Sequence, residues 1–163
     1  MVSERPRGAL INLDQVWAPP RVAISCEMGA VAEPCVADLV VTQPTAHSAD
    51  ATVGELRAFF LDDHKHMALL VDGGRLVAAV ERADLSPELR DDLPARVVGT
   101  LRGRTLPAGA SAEATFAWML AANRRRLAVA DEHGALVGLL CLKAGGHGFC
   151  SDVDVANRRL ALA

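Results

Sequence analysis

The residues best suited to chemistry begin with a stretch rich in acids and histidines, Asp62-Asp-His-Lys-His66. Imidazole and carboxylate groups together form a ligand set for transition metals. The stretch falls where a helical pattern gives way to an apolar run, the usual place for a polar turn. The corresponding stretch later in the chain, 123–126, reads Asn-Arg-Arg-Arg and contains no metal-ligating residue. A solvated turn is therefore the favoured interpretation, and a metal site is the alternative.

Four cysteines are the next candidates: Cys26, Cys35, Cys141 and Cys150. The sequence contains none of the CxxC knuckles that are typical of structural zinc. Cys141 falls in an apolar run and is interpreted as a small buried hydrophobic residue. Cys150 stands between a glycine-rich loop and a predicted helix start, where a helix dipole can lower the pKa of a thiol. With His147 it is a candidate redox or metal group.

Positive charge is concentrated in the run Arg124–Arg126, which could face the anionic end of a ligand or an acidic partner. Nucleic acid is excluded as a partner, because the formal net charge is −3 and only 4% of the residues are aromatic. A nucleic-acid-binding protein needs a basic surface and, for single strands, aromatic side chains on which bases stack.

Composition indicates a soluble globular protein, with 163 residues, 51% hydrophobic and 23% charged. The longest apolar run, Ala135–Leu142, is far shorter than the roughly 20 residues needed to cross a bilayer. The first residues do not have the pattern of a signal peptide. A cytoplasmic location is therefore expected, with no membrane partner, and the cysteines are expected to be thiols.

An internal repeat organises the chain. Ala51–Ala58 aligns with Ala110–Ala117 at an offset of 59, and the same offset places Asp72 on Asp131. One extra residue, His133, then changes the offset to 60. The apolar, turn and polar positions agree throughout both copies, which predicts two similar units that share a core between two sheets.

Each copy contains the same local signals. Thr52-x-x-Glu55 forms a capping box, and Ser111 caps the equivalent helix. Asp72-Gly-Gly74 joins two apolar runs and predicts a hairpin. A second helix is predicted from Ser86, with Pro87 at its first position.

The predicted organisation has four parts. An extended or partly ordered arm, in which Trp17 and the patch Leu10–Leu13 could dock on the body, comes first. A glycine-rich loop and a short helix capped by Ser151 come last. The parts are the arm 1–35, repeat 1 at 36–95, repeat 2 at 96–144 and the C-terminal part 145–163.

The two copies resemble a tandem pair of CBS (cystathionine-β-synthase-like) domains, known as a Bateman module. The resemblance is carried by "LLVDGGRLVAAVERADL", "LAVADEHGALVGLLCL" and the opening "VADLVVTQPTAHSADATVGEL". It implies an α+β fold in which each repeat is β-α-β-β-α, with pseudo-two-fold symmetry. It also implies a homodimer that regulates an unidentified protein partner and is not an enzyme. Such modules bind adenosine-containing ligands, such as AMP, ATP or S-adenosylmethionine, between their repeats.

The family's nucleotide signature is Gly, apolar, any, Ser/Thr, any, any, Asp. In repeat 1 Asp84 matches the ribose-binding acid, but Glu81 replaces the hydroxyl residue, so that Arg82 would have to compensate its charge. In repeat 2 the hydroxyl residue is Cys141 and the acid is Ala144. The resemblance therefore implies one partial site, at repeat 1, where a weakly charged adenosyl compound fits better than a triphosphate. Alternatively, Asp84 only caps a helix.

The predicted ligand site places Asp84 on the ribose, Arg82 beside it and two short backbone segments along the base. These segments are Thr45, Ala46 and His47, and Lys65, His66 and Met67. Two other functions stay open: a ligand-free dimeric scaffold that has lost its sites, and a thiol sensor centred on Cys150. Catalytic residues and cofactors are not expected in any of the three.

Overall fold

The computed structural model describes residues 33–161. The predictions for Trp17, for the patch Leu10–Leu13 and for Cys26 lie outside this range. Inside it, three α-helices and two three-stranded sheets form a mixed architecture, so that the predicted α+β class is confirmed.

The elements of the two repeats follow the same order. In each sheet the first strand is parallel to the second, and the second and third form an antiparallel hairpin. The first sheet has the order β1-β2-β3 and the second β4-β5-β6. The bounds are β1 Ala46–Ser48, α1 Val53–Phe59, β2 Met67–Asp72, β3 Arg75–Glu81, β4 Thr105–Pro107, α2 Ala112–Ala121, β5 Arg126–Ala130, β6 Leu136–Cys141 and α3 Asp152–Ala161.

The three α-helices begin where the sequence predicted. The Thr52 hydroxyl accepts from the Glu55 amide at 3.3 Å, and the Glu55 carboxylate accepts from the Thr52 amide at 2.7 Å. Ser111 accepts from the Ala114 amide at 3.3 Å. Ser151 accepts from the amide of Asp154 at 3.2 Å. Each bond satisfies an amide that the first turn of a helix leaves without a partner.

Thr52→Ala is expected to lower the free energy of unfolding by about 1 kcal/mol, because it removes the cap of α1. In a chain of this size that is a fall of roughly 2–4 °C in the midpoint of thermal unfolding. Thr52→Ser keeps the accepting oxygen and is the matched control, with a midpoint close to that of the wild type. Equal losses in both variants would show that the methyl group, and not the cap, stabilises this end of the helix.

The hairpins meet at their tips on the pseudo-two-fold axis. Gly73 and Gly74 have φ values of 53° and 84°, the left-handed conformation that a two-residue hairpin turn requires. The Leu76 amide donates to Gly134 O at 2.9 Å, and the Leu136 amide donates to Gly74 O at 3.0 Å. This pair of reciprocal bonds joins the two repeats at their hairpin turns.

The α-helix predicted from Ser86 is not present, and this prediction was wrong. Residues 85–93 form turns instead, followed by a short 3₁₀ helix at Ala95–Val97. Arg57 of α1 donates to the carbonyls of Ser86 at 2.7 Å and Leu89 at 3.0 Å. The local backbone bonds of this segment span only three residues, as from the Leu89 amide to Ser86 O at 3.1 Å, so isolated turns held by Arg57 form here in spite of the local capping signal.

The core lies between the two sheets and extends under the helices. Met67, Leu69 and Ala79 of the first sheet pack against Ala128 of the second, with Leu139 beside them. The sheet-on-sheet packing predicted from the repeat is therefore present.

The segment that leads into repeat 1 packs on repeat 2. Val36 and Val40 belong to the core under β5 and β6, and Val41 bonds to Leu139 through both backbone groups. A Cβ added to Gly138 would lie 2.6 Å from Val40 Cγ2, so this close approach requires a residue without a side chain. The repeat boundaries at 36–95 and 96–144 stay predictions, and the packing partner of the first residues is the other repeat.

The C-terminal helix α3 lies beside β6. Thr42 donates from its amide to Asp152 at 2.9 Å and from its hydroxyl at 2.8 Å. Val155 packs on the small cluster formed by Val41, Cys141 and Cys150. Across residues 33–161, every helix is too short or too polar to cross a bilayer.

Candidate functional site

The pseudo-two-fold axis creates two equivalent positions between the sheets. Ala46 pairs with Leu69 in the first sheet, and Thr105 pairs with Ala128 in the second. Residue numbers at equivalent positions of these strands therefore differ by 59. Along β3 and β6 the offset is 60, since Leu69 pairs with Ala79 and Ala128 with Leu139. Equivalent residues in the two positions can therefore be compared one by one.

The first position, which we call the open cleft, is a surface cavity between the start of β2 and the end of β6. Its floor is apolar and its rim is basic. The apolar lining residues include Val41, Phe59, Met67, Leu139 and Val155, and the basic ones are Lys65, Arg126, Arg158 and Arg159, with His64 and His66 beside them. An apolar floor with a few polar groups at the edge is the usual form of a small-molecule site.

The basic side chains of the open cleft are not neutralised. Within residues 33–161, carboxylates form no ion pair with Lys65, Arg126, Arg158 or Arg159, while Asp62 is the carboxylate that lines the cleft. Burial, more than any neighbouring charge, lowers the pKa of the Arg126 guanidinium. A partly desolvated cation without a counter-ion is unfavourable, so this cleft is suited to an anion.

Two histidines near this cleft have a lowered pKa. Burial, followed by the charges of Arg126, Arg125 and Arg82, lowers the pKa of His66, so its imidazole is neutral at pH 7. His47 lies behind the cleft, with its ring edge-on to Phe59 at 4.6 Å between centroids. Among residues 33–161 its buried Nε2 has no hydrogen-bond partner, and burial is the main cause that lowers its pKa.

The second position, which we call the bridged cleft, contains an arginine where the open cleft contains a threonine. Arg104 is equivalent to Thr45, and only 8% of it is exposed. Its two Nη atoms donate to the Asp84 carboxylate at 2.5 and 2.8 Å, and Nη1 also donates to Ala79 O at 2.8 Å. Its guanidinium also lies 3.3 Å from Glu81.

Charges in the bridged cleft are balanced. Arg124 donates to the second oxygen of Glu81 at 2.9 Å, so two guanidinium groups meet two carboxylates. Asp84 also accepts from the Glu81 amide at 2.8 Å. Burial raises the pKa of Asp84, but the bonds from Arg104 and from the Glu81 amide outweigh it, and the pKa is lowered overall. Asp84 is therefore a capping residue and an ion-pair partner, ionised at neutral pH.

The residues of the predicted site belong to two different places. Thr45, Lys65, His66 and Met67 line the open cleft, while Ala46 and His47 continue along β1 and are not among its lining residues. Asp84 lies in the bridged cleft, held by Arg104. The pairing of Asp84 with the 45–47 and 65–67 segments in one site is not found, because β3 of repeat 1 faces the other side of the axis.

Arg82 contacts the turn that precedes β2. Its guanidinium donates to the carbonyl of Asp62 at 3.3 Å and that of Lys65 at 3.4 Å, and it pairs with Asp63 at 3.5 Å. It therefore braces the turn between α1 and β2. Compensation of Glu81, expected from Arg82, comes instead from Arg104 and Arg124.

The structure separates the arginine run into three roles. Arg124 pairs with Glu81, Arg125 donates to Leu142 O at 3.4 Å, and Arg126 lines the open cleft. Sequence reasoning gave no site role to Arg104, Arg158 or Arg159, and it placed the last two only at the end of the C-terminal helix, where they suit its dipole. The repeat alignment contains the signal for Arg104, because the offset of 59 places it on Thr45.

The acidic and histidine-rich stretch forms a turn in which Asp62 accepts from the His64 amide at 2.9 Å. Asp62, Asp63 and His64 are exposed, as expected of a solvated turn, and His66 is exposed too, although the neighbouring cleft wall removes part of its solvent. In the part of the chain that the structure describes, groups of three or more His, Cys, Asp or Glu side chains are nowhere arranged to hold a metal ion.

Comparison with known proteins gives matches at the level of structure. No protein-family model matches the sequence. No curated protein matches it either. Many solved structures match, and the ones given below are at most 21% identical to this chain.

One similar structure is the cytosolic domain of the Mg²⁺ channel MgtE in complex with ATP, at 21% identity and a TM-score of 0.55. The match covers 67% of this chain but 46% of that one, so this chain spans less than half of its length. CBSX2 in complex with AMP matches 77% of this chain and 98% of its own, at 18% identity and a TM-score of 0.56.

A third similar structure is the CBS domain pair of MJ0100 in complex with 5′-methylthioadenosine and S-adenosyl-L-methionine. It is 15% identical, with a TM-score of 0.53, and the match covers 80% of this chain and 98% of that one. These matches confirm the fold that the resemblance implied.

Proposed function

We propose that this chain, which has the fold of a CBS-domain pair, is a regulatory module that binds an adenosine-containing ligand with a phosphate group in the open cleft. AMP is the simplest such ligand. The observation that carries the proposal is the set of four basic side chains, without carboxylate partners in the described residues, around an apolar floor.

The phosphate is placed at Arg126 and Arg158. Both line the open cleft, and Arg126 is the more buried of the two. A phosphate would supply a counter-ion that this guanidinium does not find among the described residues, through charge-assisted hydrogen bonds of the kind arginine makes in two parallel contacts. The sequence prediction of a weakly charged ligand rested on Glu81, and in the structure Glu81 lies in the bridged cleft.

The base is placed on the apolar floor, beside Met67 and Leu139. Burial of a flat ring between these side chains removes apolar area from water, which favours binding. Support for an adenine ring comes from the similar folds, since the MgtE and CBSX2 structures contain ATP and AMP and the MJ0100 structure contains two adenosyl compounds. The position equivalent to Asp84 in the open cleft is Ala144, so the Thr45 hydroxyl is left to meet the ribose.

Regulation would follow because the ligand favours one conformation of the chain. An unidentified protein partner would respond to that conformation. Such coupling between a ligand and a partner is usually worth 1–3 kcal/mol. A homodimer is part of this proposal. Its support is the exposure of Leu61 after α1 and of Leu120 and Leu160 on α2 and α3, because apolar side chains in those places suit a helical interface. The cytoplasmic setting and the absence of catalysis, both expected from the sequence, belong to the same proposal.

The test is a calorimetric titration of the full chain with AMP, adenosine, ATP and S-adenosylmethionine, with inorganic phosphate as a further probe. We expect AMP to bind at one site per chain, and more tightly than adenosine or phosphate alone. At 100 times its dissociation constant it would stabilise the chain by about 2.7 kcal/mol. S-adenosylmethionine, with a positive sulfonium, is expected to bind less well.

Two results would contradict the proposal. If none of the adenosine compounds bound, the ligand-free scaffold would become the better function. That alternative has its own support, since Arg104 already occupies one of the two equivalent positions. If AMP bound at two sites per chain, Arg104 would not obstruct the bridged cleft.

A further inference from the structure

Two cysteine sulfurs meet at the wall of the open cleft. Cys141 ends β6, and Cys150 stands just before α3. Their Sγ atoms are 3.3 Å apart, with the Cys150 thiol donating to Cys141. Both residues line the cleft, although only 7% and 4% of their surfaces are exposed. They therefore form part of the wall that a small reagent meets when it enters the cleft.

The backbone holds the two cysteines directly opposite each other. The Cys150 amide donates to Cys141 O at 2.7 Å, and the next pair inward, Leu142 and Phe149, forms an antiparallel bridge. Residues opposite each other in such a pair have Cα atoms about 4.5–5.5 Å apart. That separation lies within the range of about 4.4–6.8 Å that a disulfide requires.

We propose that Cys141 and Cys150 are a redox-sensitive pair that peroxides oxidise to an intramolecular disulfide. The proposal is independent of the nucleotide proposed above. It gives the chain a second input, the oxidation state of the cell, at the edge of the same cleft. The only change needed in the structure is an approach of the two sulfurs by a little over 1 Å to the disulfide length of about 2.05 Å.

The chemistry proceeds in two steps. The Cys150 sulfur attacks one peroxide oxygen, an S–O bond forms, the O–O bond breaks and water leaves with the former thiol proton. The Cys141 sulfur then attacks the sulfenic acid, an S–S bond forms, the S–O bond breaks and a second water leaves with the Cys141 proton. Both sulfurs are oxidised by one electron each, and the two oxygens of hydrogen peroxide are reduced to water.

The order of the steps follows from the surroundings of the sulfurs. Burial, opposed by the charge of Arg126, raises the pKa of the Cys141 thiol to about 11. Cys141 therefore keeps its proton at neutral pH, and it donates to Leu142 O at 3.6 Å. Cys150, which lies closer to the beginning of α3, is the sulfur that meets the peroxide first, and Cys141 resolves the sulfenic acid.

The consequence of oxidation is a covalent link between β6 and the segment that leads into α3. The disulfide closes a loop of ten residues, 141–150, which restricts the unfolded chain more than the folded one. The midpoint of thermal unfolding is expected to rise by about 5 °C on oxidation. Arg158 and Arg159 of α3 line the cleft, so the link also fixes the basic side of that cavity.

The test treats the full chain with hydrogen peroxide, alkylates the remaining thiols and digests with trypsin. Cleavage after Lys143 separates the two cysteines into peptides that contain no other cysteine. We expect these two peptides to be joined by a disulfide, with a mass about 2 Da below the sum of the two reduced peptides. The midpoint of thermal unfolding should rise by the amount given above. Cys150→Ser is expected to abolish both changes, and Cys35→Ser, the matched control, to keep both.

Two results would overturn the proposal. In the first, peptides 127–143 and 144–158 stay separate, and Cys150 is oxidised to sulfinic acid. The other is disulfides that join Cys26 or Cys35 instead. Serine is nearly isosteric with cysteine, so the reduced Cys150→Ser protein is expected to keep the wild-type midpoint. A chain that failed to bind AMP would leave all these outcomes unchanged.

Discussion

Asp84→Ala is expected to lower the free energy of unfolding by about 3 kcal/mol, or roughly 6–12 °C in the thermal midpoint. The substitution removes the carboxylate that holds both Nη atoms of Arg104, a residue only 8% exposed. Glu81 stays as a single partner shared with Arg124, so one buried positive charge is left without compensation. Removing one member of a buried pair costs far more than the pair itself contributes.

The matched control is Asp50→Ala. Asp50 is also a carboxylate paired with an arginine, Arg96, at 3.6 Å, but its side chain is 87% exposed. Exposed pairs contribute little, so this variant should unfold within about 2 °C of the wild type. Suppose instead that Asp84→Ala had the same thermal midpoint as Asp50→Ala but no longer bound AMP. Asp84 would then be a ligand-binding residue.

The same cluster gives an expected dependence on pH. The folded pKa of Asp84 is lowered from 3.8, so its contribution to stability is complete above that value and is lost as pH falls through the folded pKa. The difference between wild type and Asp84→Ala should therefore be constant from pH 7 to about pH 5 and shrink below about pH 4. Denaturant titrations at three pH values measure it as part of the same experiment.

Arg126→Met is expected to weaken AMP binding by about 10- to 100-fold, which corresponds to the loss of a hydrogen bond between charged groups. Methionine retains an apolar stem that packs on the cleft wall, and only the guanidinium is removed. Because Arg126 has no carboxylate partner among the described residues, its loss leaves no buried charge uncompensated. Stability should therefore stay close to that of the wild type while affinity falls.

Arg102→Met makes the same change of charge at an exposed residue outside the open cleft and serves as the control. Its affinity for AMP should equal that of the wild type within twofold at fixed ionic strength. Calorimetry and thermal unfolding of the two variants separate the alternatives. Equal losses of affinity would mean that the ligand responds to net charge alone, and Arg126 would not contact the phosphate.

Much of the fold follows from local sequence signals. The caps at Thr52, Ser111 and Ser151 act over three residues, and the hairpin at Asp72–Gly74 joins strands that are neighbours in sequence. Interactions of this range are fixed by residue type and spacing, which is why each prediction was confirmed. The prediction of a helix from Ser86 was wrong in a segment that makes a long-range contact, from Arg57 to the carbonyls of Ser86 and Leu89.

The site depended on how the two repeats face each other. The sequence by itself determined the repeat, its offsets and the segments that carry Thr45 and Met67 to a strand end. Only the tertiary structure decided that Arg104 reaches Asp84, that Arg126 has no carboxylate partner among residues 33–161 and that the sulfurs of Cys141 and Cys150 meet. The physical reason is that these contacts cross the pseudo-two-fold axis or join separate segments. Which charges are neutralised there depends on the relative placement of the two sheets.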